Sequence, residues 1–155
     1  MSKTHKPAGL SRFSDMLKAA LGPLVDQEAS SFLDMMAPDG VMEFPYAPPG
    51  GVTRVEGQEA LAAYLSGFDN ILTIERMTEP TVHRTDNPEV VILEFGCIGQ
   101  GVKTGRPYNQ RYISVITVRG GKIIRYVDYW NPLIALEAIG GLDALTAALG
   151  TGGRS

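Results

Sequence analysis

The sequence has little with which to bind a metal or form a covalent crosslink. It contains one cysteine, Cys97, and two histidines, His5 and His83. One cysteine excludes an intramolecular disulfide and a cysteine-rich zinc site, and it suits a reducing compartment. Two histidines far apart in the chain offer no ligand cluster. We therefore expect no metal site and no cofactor.

Long basic runs and long apolar runs are also absent. The net charge of −3 arises from 14 basic and 17 acidic residues of mixed order, without the basic patch that nucleic-acid binding requires. No apolar run approaches membrane-spanning length, and the opening MSKTHKPAGL lacks the apolar centre of a signal peptide. We expect a cytoplasmic protein that binds neither nucleic acid nor membrane.

What is present fits one globular domain. The 155 residues are 44% hydrophobic and 20% charged, which is ordinary for a protein that buries one core. The polar first ten residues and the final GTGGRS predict disordered ends. We expect a disordered segment 1–10, a single domain over residues 11–149 and a disordered tail 150–155.

The first half of the chain has helical spacing. Apolar residues over 13–24 recur with the helical period, and Gly22-Pro23 interrupts them. A second helix is predicted over 26–36, because Pro38 and Gly40 oppose its continuation. After an irregular loop, a third helix places Leu61, Tyr64, Leu65 and Phe68 on one stripe.

The period changes to two after residue 71. Two strand-like runs are joined at Asp86-Asn87-Pro88, and two more are joined at Gly120-Gly121. A pair of glycines tolerates the positive φ angles of a type I′ hairpin turn, which makes Arg119 and Lys122 the closing pair. Regular pairing from that turn fixes which residues of the two strands face one another.

The end of the last strand predicts a helix. Asn131-Pro132 is typical of an N-cap followed by proline at the first helical position. Apolar residues from Leu133 to Leu145 predict a closing helix that Gly140-Gly141 weakens. Helices followed by a meander of long antiparallel strands predict an α+β fold.

Asp128 is the unusual residue of the last strand, RYVDYWNPL. In a regular hairpin, Tyr126, Asp128 and Trp130 share one face, with Asp128 opposite Ile113 and diagonal to Arg111. Burial would raise the pKa of Asp128 and the guanidinium would lower it. Asp128 is therefore a structural ion-pair partner of Arg111, a cap for the following helix, or a general acid/base in an aromatic pocket.

The residues that carry a family resemblance are TGRPYNQRYISVITVRGGKIIRYVDYWNPL and the apolar helix that follows it. Together with APDGVMEFP and VVILEFGCIGQG, this pattern resembles SnoaL-like domains of the nuclear transport factor 2-like, or ketosteroid isomerase-like, superfamily. The resemblance implies a cone-shaped, curved, mixed sheet wrapped around N-terminal helices, a deep pocket and a homodimer formed through the sheet. It leaves the reaction open, because this fold hosts isomerases, cyclases, epoxide hydrolases, dehydratases and non-enzymatic binders.

Comparison with individual branches of the superfamily narrows the function. Phe44 stands where ketosteroid isomerases carry their proton-shuttling aspartate, and Ser114 falls near their oxyanion-hole aspartate, so steroid isomerisation is not expected. The Arg-x-Asp pair of limonene-epoxide-hydrolase-like members is also missing. Asp128-Tyr129-Trp130-Asn131 is most similar to the last strand of phenazine-biosynthesis A/B proteins, whose acid belongs to the substrate pocket. Their pocket histidine on the third helix corresponds to Tyr64.

Glu94 is the second carboxylate of interest, since it interrupts the apolar run VVILEFGC. It is an edge residue, a partner for an arginine such as Arg111, or a second pocket carboxylate that forms an acid/base pair with Asp128. His83, near Asp86 at a strand end, is more readily explained as a surface or hydrogen-bonded structural histidine. Cys97 is interpreted as a packing residue.

Two functions remain. The leading hypothesis is a cofactor-independent isomerase, cyclase, dehydratase or hydrolase that acts on a small hydrophobic, cyclic or carbonyl-bearing metabolite. The alternative is a non-catalytic ligand-binding or dimeric interaction module of the same fold. The candidate catalytic residues are Asp128 and Glu94, and the candidate substrate-binding residues are Arg111, Trp130, Tyr126, Tyr64, Phe44, Tyr46 and His83.

Overall fold

The computed structural model describes residues 8–141, in which short helices precede and flank one sheet. A single 3₁₀ turn, Gly22–Leu24, follows the first helix. The helices and strands, in chain order, are α1 (Ala8–Leu21), α2 (Phe32–Met35), β1 (Met36–Glu43), β2 (Arg54–Glu56), α3 (Gln58–Ser66), α4 (Phe68–Ile71), β3 (Leu72–Met77), β4 (Thr81–Arg84), β5 (Val90–Gly101), β6 (Gln110–Arg119), β7 (Lys122–Trp130) and α5 (Pro132–Ile139).

The first helix follows the predicted spacing, and it buries Leu17 and Leu21 completely. It begins at Ala8, so residues 8–10, which we expected to be disordered, are helical. Residues 1–7 lie outside the described part of the chain. Pro23 lies in the 3₁₀ turn, where its missing N–H is compatible with the end of an α-helix.

The predicted second helix over 26–36 is wrong. Only one turn, α2, is helical, and Ser31 caps it by accepting a 3.1 Å hydrogen bond from the Asp34 amide. The next eight residues form β1, which pairs parallel to β7 with a shift of register between Met36 and Val41. Pro38 lies in that irregular stretch, where its missing N–H costs no regular ladder hydrogen bond. Pairing with β7 therefore begins at Met36, the last residue of the predicted helix.

Seven strands form one sheet in the order β2-β1-β7-β6-β5-β3, and β4 also pairs with β5. Every pairing is antiparallel except that of β1 with β7. The sheet is curved and does not close, and the N-terminal helices pack on one side, which we call the inner face. The predicted α+β class, with a mixed sheet around N-terminal helices, is confirmed.

The inner face carries the main hydrophobic core. Side chains from both the helices and the strands are buried there, and the largest include Leu17, Phe32, Phe44, Leu61, Leu93, Phe95, Ile116 and Tyr126. Strand alternation places the neighbouring residues on the opposite side, the outer face. The outer face carries most of the charged residues of the strands, including the ion pair of Arg125 with Glu43.

The hairpin between β6 and β7 begins as predicted and then departs from the prediction. Gly120 and Gly121 have φ angles of 59° and 81°, and Arg119 pairs with Lys122. The register then shifts between Thr117 and Val118, which leaves Ile124 as an extra residue in β7. Such a bulge shifts the pairing of the rest of β7 with β6 by one residue. The side chains of β7 then share a face with the other alternate set of β6 side chains.

The bulge corrects the predicted partners of Asp128. Ser114, and not Ile113, lies opposite Asp128, and Tyr112 lies opposite Trp130. Arg111 pairs with Gly96 and belongs to the outer face, so it is not the diagonal neighbour that a regular hairpin predicts.

The closing helix starts at the predicted position. The Asn131 side chain accepts a 3.0 Å hydrogen bond from the Leu133 amide, and Pro132 is the first helical residue. The helix ends at Ile139, because Gly140 adopts the left-handed conformation with a φ of 112°. Leu142, Leu145 and the predicted tail 150–155 lie outside the described residues. Within residues 8–141, no helix is both long and apolar enough to cross a membrane.

Candidate active site

A chain of hydroxyl groups leads to Asp128 on the inner face. Tyr126 donates a 2.8 Å hydrogen bond from its phenol to Ser114 Oγ, and Ser114 Oγ donates a 3.2 Å hydrogen bond to Asp128 Oδ1. Tyr126 and Ser114 are both fully buried. Phe13 and Phe32 pack against the Tyr126 ring, with centroids 6.0 and 5.5 Å away. The carboxylate is therefore oriented by groups that are themselves fixed in the core.

Burial raises the pKa of Asp128 to about 7, and the hydrogen bond from Ser114 opposes that rise. No lysine, arginine or histidine within residues 8–141 offsets the loss of hydration. A carboxyl group with a pKa near neutrality is suited to both release and uptake of a proton. Asp128 therefore has the electrostatic character of a general acid/base.

Asp128 is enclosed but not sealed. The residue is surrounded by protein, and yet it keeps an intermediate solvent exposure. Its Oδ2 atom accepts no hydrogen bond from the described residues. Trp130, on the same face, and Tyr64, on α3, are also only partly buried. We call the part of the inner face around Asp128, near which these side chains lie, the Asp128 recess.

Four tyrosines surround this recess. Burial is the main cause that raises the pKa of Tyr64, to about 12, and that raises the pKa values of Tyr108, Tyr112 and Tyr126. The negative charge of Asp128 raises all four further. Their phenols therefore stay protonated at neutral pH and act as neutral hydrogen-bond donors.

Tyr108 and Tyr112 form a pair at the end of the recess. Their hydroxyl oxygens lie 2.8 Å apart, and the Tyr112 ring stacks on Phe95 at 5.1 Å. Cys97 lies beside them, and burial raises the pKa of its thiol. A thiol of raised pKa is a poor nucleophile, which agrees with its interpretation as a packing residue.

Phe44 is a core residue at the position of the isomerase base. It is 2% exposed, and its ring lies 5.1 Å from the ring of Tyr64. Phe44 thus supports one wall of the recess without contributing an ionisable group.

The predicted acid/base pair of Asp128 and Glu94 is not brought together. Glu94 pairs with Ile113 and Thr81 on the outer face, whereas Asp128 lies on the inner face. The partner of Glu94 is His83, whose Nε2 lies 2.7 Å from Glu94 Oε2, with both side chains more than 40% exposed. The sequence analysis named Arg111 as a possible partner of Glu94. The partner in the structure is His83, and this exposed pair lies on the side of the sheet opposite Asp128.

Arg111 and Tyr46 also belong to the outer face. Arg111 is exposed, and Tyr46 is 58% exposed with its ring edge-on to Tyr129 at 5.3 Å. They border a groove of about 460 Å³, which we call the outer groove. It is lined by Tyr46, Glu94, Arg111, Tyr112, Ile113, Tyr129, Trp130, Asn131 and Pro132.

The predicted site is therefore divided by the sheet. Asp128, Tyr126, Tyr64, Phe44 and Trp130 lie on the inner side, and Trp130 also borders the outer groove. The remaining predicted residues lie on the outer side; they are Glu94, Arg111, Tyr46 and His83.

The candidate residues chosen from the sequence did not include Ser114, Tyr108 and Tyr112, and Ser114 was considered only as the residue near the oxyanion-hole position, on the face opposite Asp128 unless a bulge intervened. A signal for the first was available, because a shift of one residue pairs Ser114 with Asp128, the polar residues of two apolar strands. Regular pairing would leave each of them opposite an apolar residue. Within residues 8–141, no three histidine, cysteine, aspartate or glutamate side chains converge on a point where a metal ion could bind.

These features define the class of protein: a small α+β domain whose curved sheet and covering helices hold a partly buried carboxyl group among aromatic residues. The profile of the SnoaL-like domain family matches residues 17–126. The chain belongs to this family, and its fold is the nuclear transport factor 2-like, ketosteroid isomerase-like fold.

Relatives confirm the predicted similarity. An uncharacterised phenazine A/B-like protein of Pseudomonas aeruginosa is 42% identical over 130 residues, which cover 84% of this chain and 92% of that protein. The crystal structure of a candidate isomerase from Bacillus subtilis is 40% identical, with a TM-score of 0.72, and the match covers 83% of this chain and 92% of that one. A candidate polyketide cyclase from Pseudomonas putida, at 18% identity and a TM-score of 0.62 over 82% of this chain and 97% of that one, shares the fold.

Proposed function

We propose that the protein is a cofactor-independent enzyme in which Asp128 transfers a proton to and from the substrate. The observation that supports this most is the position of Asp128: held by Ser114, without a cationic partner in the described residues, and with a pKa of about 7. A structural carboxylate in a protein interior is ordinarily paired, because an unpaired buried charge is costly. Groups kept in such a state are often functional.

In this mechanism the protein supplies one proton-transfer group and several neutral donors. Asp128 in its ionised form accepts a proton from the substrate and returns it at the same or another atom. Ser114 and Tyr126 act as positioning residues, because Ser114 donates a hydrogen bond to Oδ1 and Tyr126 donates one to Ser114. Tyr64 and Tyr112 remain protonated and can donate hydrogen bonds to a substrate oxygen.

The side chains around Asp128 indicate the class of substrate. Phe44, Tyr64, Tyr112 and Trp130 favour a small, hydrophobic, cyclic molecule that carries a carbonyl or hydroxyl group. Isomerisation, cyclisation, dehydration and hydrolysis all use this proton transfer, and a 40% identical relative bears the name of a candidate isomerase. Glu94 and Arg111 have no part in the mechanism, since they lie across the sheet.

Solvent deuterium provides a test that does not require a known substrate. The protein is incubated in D₂O with a metabolite extract, and metabolites that gain carbon-bound deuterium or change in mass are detected by mass spectrometry. We expect Asp128→Asn to lower the rate for such a metabolite by about 100-fold or more, as for loss of a general acid/base. Glu94→Gln is the matched control, and it should leave the rate unchanged.

Two results would contradict the proposal that the protein is an enzyme. One is an extract in which no metabolite is altered by the wild-type protein. The other is an Asp128→Asn variant that is folded by circular dichroism and as active as wild type. Either outcome would favour the alternative, a non-catalytic ligand-binding module of the same fold.

We further propose that two copies associate through the outer face, as the family resemblance suggested. Ile113 is 45% exposed beside Tyr46 and Tyr129, and this apolar strip lies between the ion pairs of Arg125 with Glu43 and of His83 with Glu94. An apolar centre with a charged rim is the usual composition of a subunit interface.

Light scattering coupled to gel filtration tests the dimer. Ile113→Lys should convert the dimer to a monomer, because it places an unpaired charge in the apolar strip. Val102→Lys is the matched control, since Val102 is 48% exposed in the turn after β5. A monomeric wild-type protein would contradict the proposal. Cytoplasmic localisation, expected from the sequence, stays a prediction.

A further inference from the structure

The outer groove contains one positive and one negative side chain that do not pair with each other. Glu94 and Arg111 both line this groove of about 460 Å³. The Arg111 side chain lies over Gly96 of β5, since a Cβ atom on that glycine would be 3.4 Å from Arg111 Cδ and 3.7 Å from Arg111 Nη1. Gly96 lies two residues from Glu94 on the same face of β5, which is about 7 Å along a strand.

Both charged groups can still accept a ligand. Arg111 is exposed, and it belongs to none of the ion pairs that residues 8–141 form with one another. Glu94 is 41% exposed, and its contact with His83 uses Oε2, at 2.7 Å. The other carboxylate oxygen of Glu94 is therefore left for a hydrogen-bond donor on a ligand.

The rest of the groove is largely aromatic and apolar. The rings of Tyr46 and Tyr129 meet edge to face with centroids 5.3 Å apart, and Trp130 lines the same groove beside the exposed Ile113. Aromatic side chains arranged in this way bind a further ring through stacked or edge-to-face contacts. A volume of about 460 Å³ is typical of sites that hold a small molecule.

We infer that the outer groove binds a free aromatic α-amino acid, with its carboxylate on Arg111 and its ammonium group on Glu94. The ring of the amino acid packs against Tyr46, Tyr129 and Trp130. Two charged hydrogen bonds of about 2.8 Å each, together with the short distance between the amino and carboxyl groups of one molecule, span a separation on the order of 7 Å. A ligand with a single charge would leave either the guanidinium or the carboxylate without a partner.

This site is separate from the proposed reaction, because Glu94 lies on the outer face and Asp128 on the inner face. It overlaps the apolar strip through which we propose that two copies associate, since Tyr46, Ile113 and Tyr129 belong to both. A bound amino acid and a second copy therefore exclude each other. That consequence rests on the proposed dimer, whereas the binding itself does not.

The fluorescence of Trp130 measures binding, because Trp130 is the only tryptophan of the chain and lines the groove. Three molecules are titrated into the full chain at neutral pH: L-phenylalanine, phenylpropionate, which lacks the ammonium group, and phenylethylamine, which lacks the carboxylate. We expect L-phenylalanine to bind at least about tenfold more tightly than either analogue, because each analogue loses one charged hydrogen bond.

Two variants assign the two charges. Arg111→Gln should remove the advantage of L-phenylalanine over phenylethylamine, and Glu94→Gln should remove its advantage over phenylpropionate. Arg106→Gln and Glu89→Gln are the matched controls, because they remove the same charges from exposed ion pairs that do not line the groove. Both controls should retain both advantages.

Light scattering in the presence of saturating L-phenylalanine tests the overlap with the dimer, and we expect the mass of the monomer. A dimer that persists with the amino acid bound would overturn the placement in the outer groove. A protein that is monomeric without ligand, and that still shows both advantages, would contradict the dimer and support the amino-acid site.

Three results of the titrations would overturn the inference. They are equal binding of the three molecules, a Trp130 fluorescence that none of them changes, and an advantage that survives in both Arg111→Gln and Glu94→Gln. Deuterium incorporation that depends on Asp128, without any binding of L-phenylalanine, would overturn the amino-acid site and leave the proposed enzyme intact.

Discussion

Ser114 and Asp128 face each other across β6 and β7, and the Ser114 hydroxyl donates a 3.2 Å hydrogen bond to the carboxyl group. This contact exists because one extra residue, Ile124, shifts the register of β7. The same shift separates Asp128 from Arg111, so the carboxyl group is buried beside a hydroxyl group and not beside a guanidinium. The difference decides the chemistry, since a neutral neighbour leaves the pKa of Asp128 near neutrality.

The stability of the protein should depend on the titration of Asp128. Its pKa is raised from 3.8 to about 7 by folding, so the neutral form stabilises the fold fully below the unfolded value, and that stabilisation is lost as pH rises through about 7. Asp128→Asn removes the titration and keeps a hydrogen-bonding oxygen for Ser114. Above pH 7 we expect the variant to be more stable than wild type by on the order of 2–4 kcal/mol, with the two proteins equal in acid. Urea denaturation across this pH range measures the difference, and a variant less stable than wild type in alkali would contradict the burial of an unpaired charge.

Ser114→Ala should raise the pKa of Asp128 further, because the hydrogen bond from Ser114 is what lowers it. Titration of the carboxyl carbon by NMR measures the shift. The variant also removes the acceptor of the buried Tyr126 hydroxyl, at a cost of about 1–3 kcal/mol. Adding Tyr126→Phe should recover part of that loss, since no unpaired hydroxyl then remains. A pKa that falls or stays constant in Ser114→Ala would show that the hydroxyl chain does not act on the carboxyl group.

The close contact of β5 with α5 predicts a second stability effect. A Cβ atom on Gly101 would lie 1.9 Å from the Ala138 carbonyl oxygen, so Gly101→Ala must displace the closing helix. We expect a loss of at least about 2 kcal/mol, typical of overpacking. Gly67→Ala is the matched control, because Gly67 has open space around it and a φ of −94°. Chemical denaturation compares them, and equal stabilities would contradict the packing of α5 on β5.

The exposed pair of His83 and Glu94 should have little influence on the recess. His83→Gln and Glu94→Gln are expected to change stability by less than about 1 kcal/mol, because exposed ion pairs contribute little. Neither should move the pKa of Asp128 measured by NMR, since the sheet lies between them. A shift in either variant comparable to that of Ser114→Ala would mean that the two carboxyl groups are coupled after all.

Several elements of the fold were predictable because their signals are local. The φ requirement of Gly120-Gly121 fixed the turn, and the cap Asn131-Pro132 fixed the start of α5. The alternation over β5, β6 and β7 identified the strands, and the long matching pattern identified the family. Asp128 could be recognised as a carboxyl group inside an apolar strand for the same reason.

The second helix and the partners of Asp128 could not be predicted in this way. The predicted helix over 26–36 is helical only over Phe32–Met35, and Met36 already pairs with Ile123 of β7, which lies far away in the chain. Whether a segment forms a helix or pairs with a distant strand depends on contacts with residues outside that segment, which its own sequence does not reveal.

The sequence by itself determined that an acidic residue would lie in the last strand of an α+β, SnoaL-like domain, because turn, cap and alternation signals act over a few residues. Only the tertiary structure decided which residues share its face. Strand side chains alternate with a period of two, so a single bulged residue at Ile124 exchanges Arg111 and Ile113 for Tyr112 and Ser114. That exchange turns an expected ion pair into a carboxyl group held by a hydroxyl chain, with the pKa that makes it a candidate for proton transfer.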